Sequence, residues 1–100
     1  MDKLVSLPSS KKLVWPIIQV LKGRSPILKT ELDGSIAELF ALSSDQLQIR
    51  HDGSRSEFQY RSAWALSYGK KAGYLENPAR NQWAITSAGR AISAESELKF

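Results

Sequence analysis

The chain has 100 residues, the length of one domain, and 42% of them are hydrophobic, enough for one modest core. It has no cysteine, one histidine and no apolar stretch near the roughly 20 residues of a membrane-spanning helix. These features exclude disulfides, thiolate or multi-histidine metal sites and membrane insertion, and they fit a cytoplasmic protein. The 14 basic and 10 acidic residues give a formal net charge of +4, a mild bias towards a polyanionic partner.

The first part of the chain is predicted to be a loose arm followed by two helices. Residues 1–12 are polar and rich in serine and lysine, and we expect residues 1–14 to form a loose basic arm. A helix is predicted from Pro16, which suits a first helical turn, to Gly23. After a short break, the apolar residues from Leu28 to Phe40 recur at helical spacing, although Gly34 weakens this helix by about 1 kcal/mol relative to alanine.

A short helix and a long helix are predicted next. Ser43 is a suitable N-cap, and Gln46, three residues later, completes a capping-box pattern. A polar loop then runs from His51 to Ser54. The longest helical candidate extends from Ser56 to Ala72, about 25 Å, with Gly73 suited to end it.

The last third of the chain is predicted to hold a β-hairpin and a final helix. The segments Tyr74–Glu76 and Gln82–Ile85 have strand patterns, and the residues between them have turn chemistry. Thr86 then begins a helix that continues to about Ile92. Residues 94–100 are expected to form a frayed polar tail.

The order of these elements predicts the fold class. Three helices followed by a two-stranded hairpin are typical of a winged helix, a variant of the helix-turn-helix fold. In that fold the third helix enters the DNA major groove and the hairpin reaches an adjacent groove or the backbone. We therefore predict an α+β, mostly α, winged-helix domain over residues 15–93, between the arm and the tail.

Several motifs in the same order, over about residues 15 to 92, carry a family resemblance. They are Pro16-Ile17-Ile18-Gln19-Val20-Leu21, Leu42-Ser43, Tyr60-Arg61-Ser62-Ala63-Trp64-Ala65-Leu66-Ser67-Tyr68 with Lys70-Lys71-Ala72-Gly73-Tyr74-Leu75, and Trp83-Ala84-Ile85-Thr86 with Gly89. In these motifs the chain resembles the N-terminal winged-helix domain of Mrr-type restriction system proteins. The resemblance implies a DNA-reading accessory domain, which in the family usually precedes a nuclease domain that attacks modified DNA.

The chain departs from the family pattern at three positions. The family usually has an apolar residue at the position of Gly69 and often one at that of Ser62, both on the core-facing side of the long helix. We therefore expect the helix to bend or fray near Gly69. Asn81 stands where the family often has glycine, a mild change because asparagine tolerates a left-handed backbone.

The start of the long helix supplies most of the predicted DNA contacts. Arg55 and Arg61 can pair with guanine and Gln59 with adenine, because these side chains match the base edges of the major groove. Ser56, with the first backbone N–H groups, can hold a phosphate. For Arg61 the alternative is an ion pair with Glu57, one helical turn away.

Five other basic residues have weaker assignments. Arg80 at the hairpin tip is the predicted wing contact, with a simply solvated side chain as the alternative. Lys11 and Lys12 are predicted to attract the phosphates, unless the arm serves only as a solubilising tail. Two lysines, Lys70 and Lys71, lie at the end of the long helix. Their favourable interaction with the C-terminal helix dipole explains them better than a contact with the DNA backbone.

The aromatic residues are predicted to be core residues. Trp15, Trp64 and Trp83 occupy periodic apolar positions, and core packing is favoured for Trp64 and Trp83. Tyr60 and Tyr68 flank Trp64 by four residues on each side, so the three share one helical face. Such a face is more typical of a core stripe than of a surface that stacks bases.

No catalytic site, metal site or cofactor is predicted. His51 beside Asp52 in a loop is more typical of a turn than of an acid–base pair. Glu97-Leu98-Lys99 matches half of a metal-dependent nuclease motif, but no strand surrounds it and no upstream aspartate accompanies it. The scattered glycines do not form a phosphate-binding loop.

These observations together predict a non-catalytic module that binds double-stranded DNA within a restriction or defence protein. The acidic segment at residues 31–45 would repel phosphate, so it must point away from DNA or bind a basic partner. The alternative function is protein docking or dimerisation, since winged-helix domains also serve as interaction modules. The predicted partners are therefore double-stranded DNA, a second copy of the chain, or a nuclease domain.

Overall fold

The part of the chain that the structure describes, residues 7–100 of a computed structural model, contains five α-helices and three short strands. They are α1 (Ser10–Gly23), β1 (Ile27–Leu28), α2 (Lys29–Leu39), α3 (Ser44–Leu47), α4 (Glu57–Lys71), β2 (Leu75–Glu76), β3 (Gln82–Ile85) and α5 (Ser87–Arg90). The fold is therefore α+β and mostly helical, as predicted. None of the described helices is long and apolar enough to cross a membrane.

The core is built around α1. Leu13, Ile17, Ile18 and Leu21 on this helix have no exposed surface, and α4 packs along it. Burial of one such side chain contributes roughly 1.5–3 kcal/mol, so this single helix supplies much of the hydrophobic stabilisation.

The predicted loose arm is wrong for residues 10–14, because α1 begins at Ser10. Ser9 caps the helix, with its Oγ accepting a hydrogen bond from the Lys12 backbone N–H at 3.3 Å. The reason is the apolar pair Leu13 and Val14, which extends the buried stripe by one turn. Pro16 consequently lies inside the helix instead of in its first turn. Residues 1–6 of the arm lie outside the described residues.

The hairpin is confirmed, and β1 adds a third strand that the sequence analysis missed. The antiparallel sheet has the order β1-β3-β2, with Ile27 opposite Trp83 and Leu75 opposite Ile85. A two-residue strand is too short to show an alternating pattern, which is why β1 was not predicted. In the hairpin turn Asn81 adopts a left-handed backbone with a φ of 61°, as its residue type allows.

The core-facing side of α4 contains one polar contact where the family often has an apolar residue. Ser62 is 2% exposed, and its Oγ donates a hydrogen bond to Asp33 Oδ1 at 2.5 Å. Lys29 Nζ binds the other carboxylate oxygen of Asp33 at 2.8 Å. A buried polar group that is fully hydrogen-bonded is tolerated, so this network links α2 to α4.

The predicted bend or fraying near Gly69 is wrong, because α4 continues without interruption to Lys71. The missing side chain is replaced by that of Leu75, which packs directly against the helix: a Cβ on Gly69 would lie 2.5 Å from Leu75 Cδ1. The helix then ends as predicted at Gly73, whose φ is 90°. The Tyr74 N–H donates to the Gly69 carbonyl oxygen at 2.9 Å, which closes the last turn.

The predicted frayed tail is also wrong, because the last residues fold back onto the domain. A short 3-10 helix spans Glu95–Glu97, and Leu98 packs against the core. The Lys99 backbone N–H donates a hydrogen bond to Tyr74 Oη at 3.0 Å. Leu98, the backbone of Lys99 and the ring of Phe100, which lies 6.1 Å from that of Tyr68, together anchor the tail.

Two glycines in helix interiors provide a matched test of this packing. A Cβ on Gly34 would meet nothing within 4 Å, whereas one on Gly69 would overlap Leu75. We expect G34A to stabilise the protein by about 0.5–1 kcal/mol and G69A to destabilise it by about 1–3 kcal/mol. Thermal unfolding followed by circular dichroism should show Tm shifts of opposite sign, about 4–8 °C per kcal/mol for a domain of this size. Equal shifts would contradict the packing of Leu75 on α4.

Candidate nucleic-acid interface

The loop before α4 is closed by hydrogen bonds to one carboxylate. Asp52 Oδ1 accepts from the backbone N–H groups of Ser54 and Arg55, both at 2.9 Å. These bonds hold the pKa of Asp52 below its ordinary value, chiefly through the backbone N–H of Ser54. The His51 N–H also donates to the Arg55 carbonyl oxygen at 3.1 Å. The backbone of Arg55 is therefore held in place immediately before the helix, while its side chain is exposed.

Ser56 and Gln59 cap α4 by binding each other. Ser56 Oγ accepts from the Gln59 backbone N–H at 3.1 Å, and the Ser56 N–H donates to Gln59 Oε1 at 3.1 Å. Ser56 is buried by this arrangement, while Gln59 stays exposed. Gln59 Oε1 thus already accepts one bond from the helix start, and a two-bond pair with adenine would use this same oxygen together with the amide NH₂.

Arg61 does not extend outward from the helix. Its Nε donates to Glu57 Oε2 at 2.8 Å, and its Nη1 donates to the carbonyl oxygens of Leu7 and Pro8 at 3.0 and 3.3 Å. The second Glu57 oxygen lies 3.0 Å from His51 Nδ1. The alternative of an ion pair with Glu57 is confirmed, and Arg61 also attaches the N-terminal segment to α4.

The remaining predicted residues are exposed at separate places. Arg80 lies in the hairpin turn, and Lys11 and Lys12 lie on the first turn of α1. Lys11 Nζ is 6.0 Å from the centroid of the Tyr68 ring, within cation–π range. Helix formation at Ser10 thus places Lys11 beside the C-terminal half of α4.

Trp64 lies at the surface with Tyr60 and Tyr68 half-buried beside it, so the prediction of core packing is wrong for Trp64. Trp64 is 47% exposed, and its ring centroid lies 6.4 Å from that of Tyr60 and 5.9 Å from that of Tyr68. We call Tyr60, Trp64 and Tyr68 the aromatic stripe. The core-facing side of α4 carries Phe58, Ser62, Ala65, Leu66 and Gly69. Both sets have helical spacing, so periodicity alone could not choose between them. Trp83, in contrast, packs against the core as predicted.

Both ends of the aromatic stripe meet further rings and cations. The His51 ring stacks on Tyr60 with a centroid distance of 3.6 Å and an interplanar angle of 13°. The Arg55 guanidinium lies 5.4 Å from the Tyr60 centroid. At the other end the Phe100 ring is 6.1 Å from Tyr68. The sequence contains the spacing of the stripe, but His51 and Phe100 join it only through tertiary contacts.

Sequence reasoning missed one basic residue, Arg50. An open cleft of about 430 Å³ lies between α3 and the start of α4, and the exposed Arg50 lines it together with Gln59. An isolated β-bridge between Arg50 and Ser56 holds the two sides of the loop together. The only sequence signal was a basic residue near a helix start, which is common on protein surfaces.

The described residues contain no cluster of histidine, cysteine, aspartate or glutamate that could hold a metal ion. Glu97, part of the half-motif noted above, accepts hydrogen bonds from the Ser93 N–H at 2.9 Å and the Ser93 Oγ at 2.8 Å. These bonds lower the pKa of the Glu97 carboxyl, chiefly through the Ser93 N–H. The carboxylate therefore has a local structural role.

The Glu57–Arg61 pair should contribute to stability in a pH-dependent manner. Partial burial raises the pKa of Glu57, but hydrogen bonds from Arg61 and His51 outweigh it and hold the pKa below the ordinary value. The stabilisation is therefore complete above the ordinary glutamate pKa and is lost as the pH falls through the lowered one. We expect R61A to cost about 1–2 kcal/mol at neutral pH and less in acid, measured by urea unfolding. R80A, an exposed control, should change stability by less than about 0.5 kcal/mol; equal losses would contradict the pairing.

A comparison with known protein families places these features in context. Residues 11–95, which include nearly all of α1 and every element through α5, match the family model described as Mrr N-terminal domain. No curated protein and no solved structure matches the chain.

Proposed function

The chain belongs to the Mrr N-terminal domain family, which is associated with restriction systems, and on this basis we propose that it is a winged-helix module that binds double-stranded DNA. In this proposal it contributes recognition and no catalysis. Cleavage would belong to a separate nuclease domain or partner. The site of action would be the bacterial cytoplasm.

The arrangement of helices and strands supports a winged helix. The hairpin of β2 and β3 directly follows α4, and β1 pairs with the outer edge of β3. The α3 element has only one turn, which leaves α4 as the long helix available for a major groove. The hairpin turn carrying Arg80 then becomes the wing.

The observation that carries the proposal is the group of exposed polar side chains at the start of α4. Arg55, Arg50 and Gln59 surround this helix end, and all three are exposed. Arginine is well suited to guanine and to phosphate, and the N-terminal dipole of a helix adds to the attraction of anions. Arg61 is not among the groove contacts of this proposal, because its guanidinium already donates hydrogen bonds to Glu57 and to two backbone carbonyl oxygens.

The acidic segment raises no strong objection to DNA binding. Glu31 pairs with Arg24 at 2.9 Å, and Asp33 is turned inward to Lys29. Part of its negative charge is therefore compensated within the protein. Lys11 and Lys12 on α1 would add attraction that does not depend on DNA sequence.

Protein docking or dimerisation remains the second candidate function, because apolar side chains are exposed at the end of α2. Leu39 is 61% exposed and Phe40 is 39% exposed. A pair of this kind can bind an apolar surface on a nuclease domain or on a second copy. Sedimentation analysis at high concentration tests the dimer: a monomer would exclude it, and an L39A-sensitive dimer would support it.

Duplex binding can be measured by fluorescence anisotropy with a short labelled duplex over a series of salt concentrations. Each phosphate contact contributes about −0.9 to the slope of log affinity against log salt, and we expect a slope of about −3 to −5. R55A and R80A should each reduce that slope by about one unit. Q59A should change the preference among sequences and leave the slope unaltered.

Arg24 provides the matched control for these substitutions, because it is also an exposed arginine but lies at the end of α1 and binds Glu31 at 2.9 Å. R24A should leave the salt slope unchanged. Absence of duplex binding at low salt would overturn the proposal, and metal-dependent cleavage by the pure protein would overturn its non-catalytic part. A positive result leads to a panel of duplexes that carry modified bases.

A further inference from the structure

The outward side of α4 beyond its first turns carries aromatic rings. The major groove of a regular DNA duplex offers few groups on which such rings can stack. Trp64 lies exposed between Tyr60 and Tyr68, with ring centroids about 6 Å apart along the helix. The major groove of B-form DNA presents hydrogen-bonding edges and thymine methyl groups. Aromatic rings instead match the faces of bases, and those faces become accessible when a base is unpaired.

The charges around the aromatic stripe favour a polyanion. Arg55 lies over Tyr60 at one end, and Lys11 lies over Tyr68 at the other. Lys71 lines the hollow beside Tyr68. A purely apolar protein surface would gain little from cations at both ends, whereas a nucleic-acid strand has a phosphate for each base and would use both features.

The acids nearest to the start of the stripe do not oppose this attraction strongly. The Glu57 carboxylate lies between Arg61 and His51. That of Asp52 accepts three hydrogen bonds in its own loop and faces Arg55 at 3.9 Å. Their charge is therefore largely compensated where the stripe begins.

We propose that the aromatic stripe is a binding site for single-stranded DNA, with a base stacked on Trp64 and phosphates near Arg55 and Lys11. The site goes beyond the proposed duplex binding, because it uses the middle of α4 and not the hairpin; only Arg55 and Lys11 are common to both. Tyr60 is already covered by His51, so Trp64 is the ring open for stacking. The stripe spans about 12 Å of helix, which corresponds to about three or four stacked nucleotides.

The test uses the full chain and a labelled oligothymidine of about 12 nucleotides, with an abasic strand of the same length as the control. The abasic strand keeps the phosphates and lacks the bases, so it separates stacking from charge attraction. We expect the oligothymidine to bind more tightly. W64A should weaken its binding about 5- to 100-fold, and W64F should retain most of the affinity, because a ring remains for stacking.

Two further variants make the result specific. F40A removes an exposed aromatic ring on a different helix and should leave single-strand binding unchanged. R80A should weaken duplex binding alone, so a failure of duplex binding and a failure of single-strand binding can be told apart. Circular dichroism establishes that each variant is folded.

Three results would overturn the proposal. They are equal affinity for the abasic strand and the oligothymidine, unchanged binding by folded W64A, and absence of single-strand binding at low salt. A dimer that dissociates on W64A, without any effect of that variant on DNA, would assign the stripe to self-association instead.

Discussion

The buried side of α4 has small residues at Ser62 and Gly69, and a specific neighbour compensates for each. Leu75 packs into the space above Gly69, which fixes the hairpin against the helix. Asp33 accepts a hydrogen bond from Ser62, which fixes α2 on the other side. The relative position of the helix start and the hairpin turn follows from these two contacts. Every proposed duplex contact depends on that position, because arginines on both elements must reach the same DNA.

The rotation of α4 about its own axis determines the chemistry of the outward surface. Burial of the side that carries Phe58 and Leu66 leaves the Trp64 ring exposed, with the half-buried rings of Tyr60 and Tyr68 on either side. An exposed indole costs some hydrophobic stabilisation that a buried one would contribute. The exposed ring of Trp64 between two cations is better explained by a ligand than by stability, since Trp64 does not belong to the core.

Local sequence signals predicted most of the fold, and tertiary contacts account for the differences. The capping box of Ser43 and the left-handed Asn81 depend on neighbouring residues, so they were found. The exposure of Trp64 depends on which side of α4 meets α1, and the anchoring of Leu98 depends on the distant core. At the candidate site, the adenine contact of Gln59 stays a prediction, and the sequence analysis did not predict the bond by which Gln59 closes the helix cap.

That bond links recognition to the stability of the helix start. Gln59 Oε1 closes the cap with the Ser56 N–H, so an adenine that bound both Oε1 and the amide NH₂ in the proposed complex would compete with the cap for this oxygen. Loss of a helix cap costs roughly 0.5–2 kcal/mol, which would be subtracted from the affinity if adenine displaced the cap bond. Binding through phosphates leaves the cap closed. In the proposed complex the reading of adenine by Gln59 would therefore be coupled to the stability of the helix start, whereas attraction to phosphates and the guanine contact of Arg55 would not.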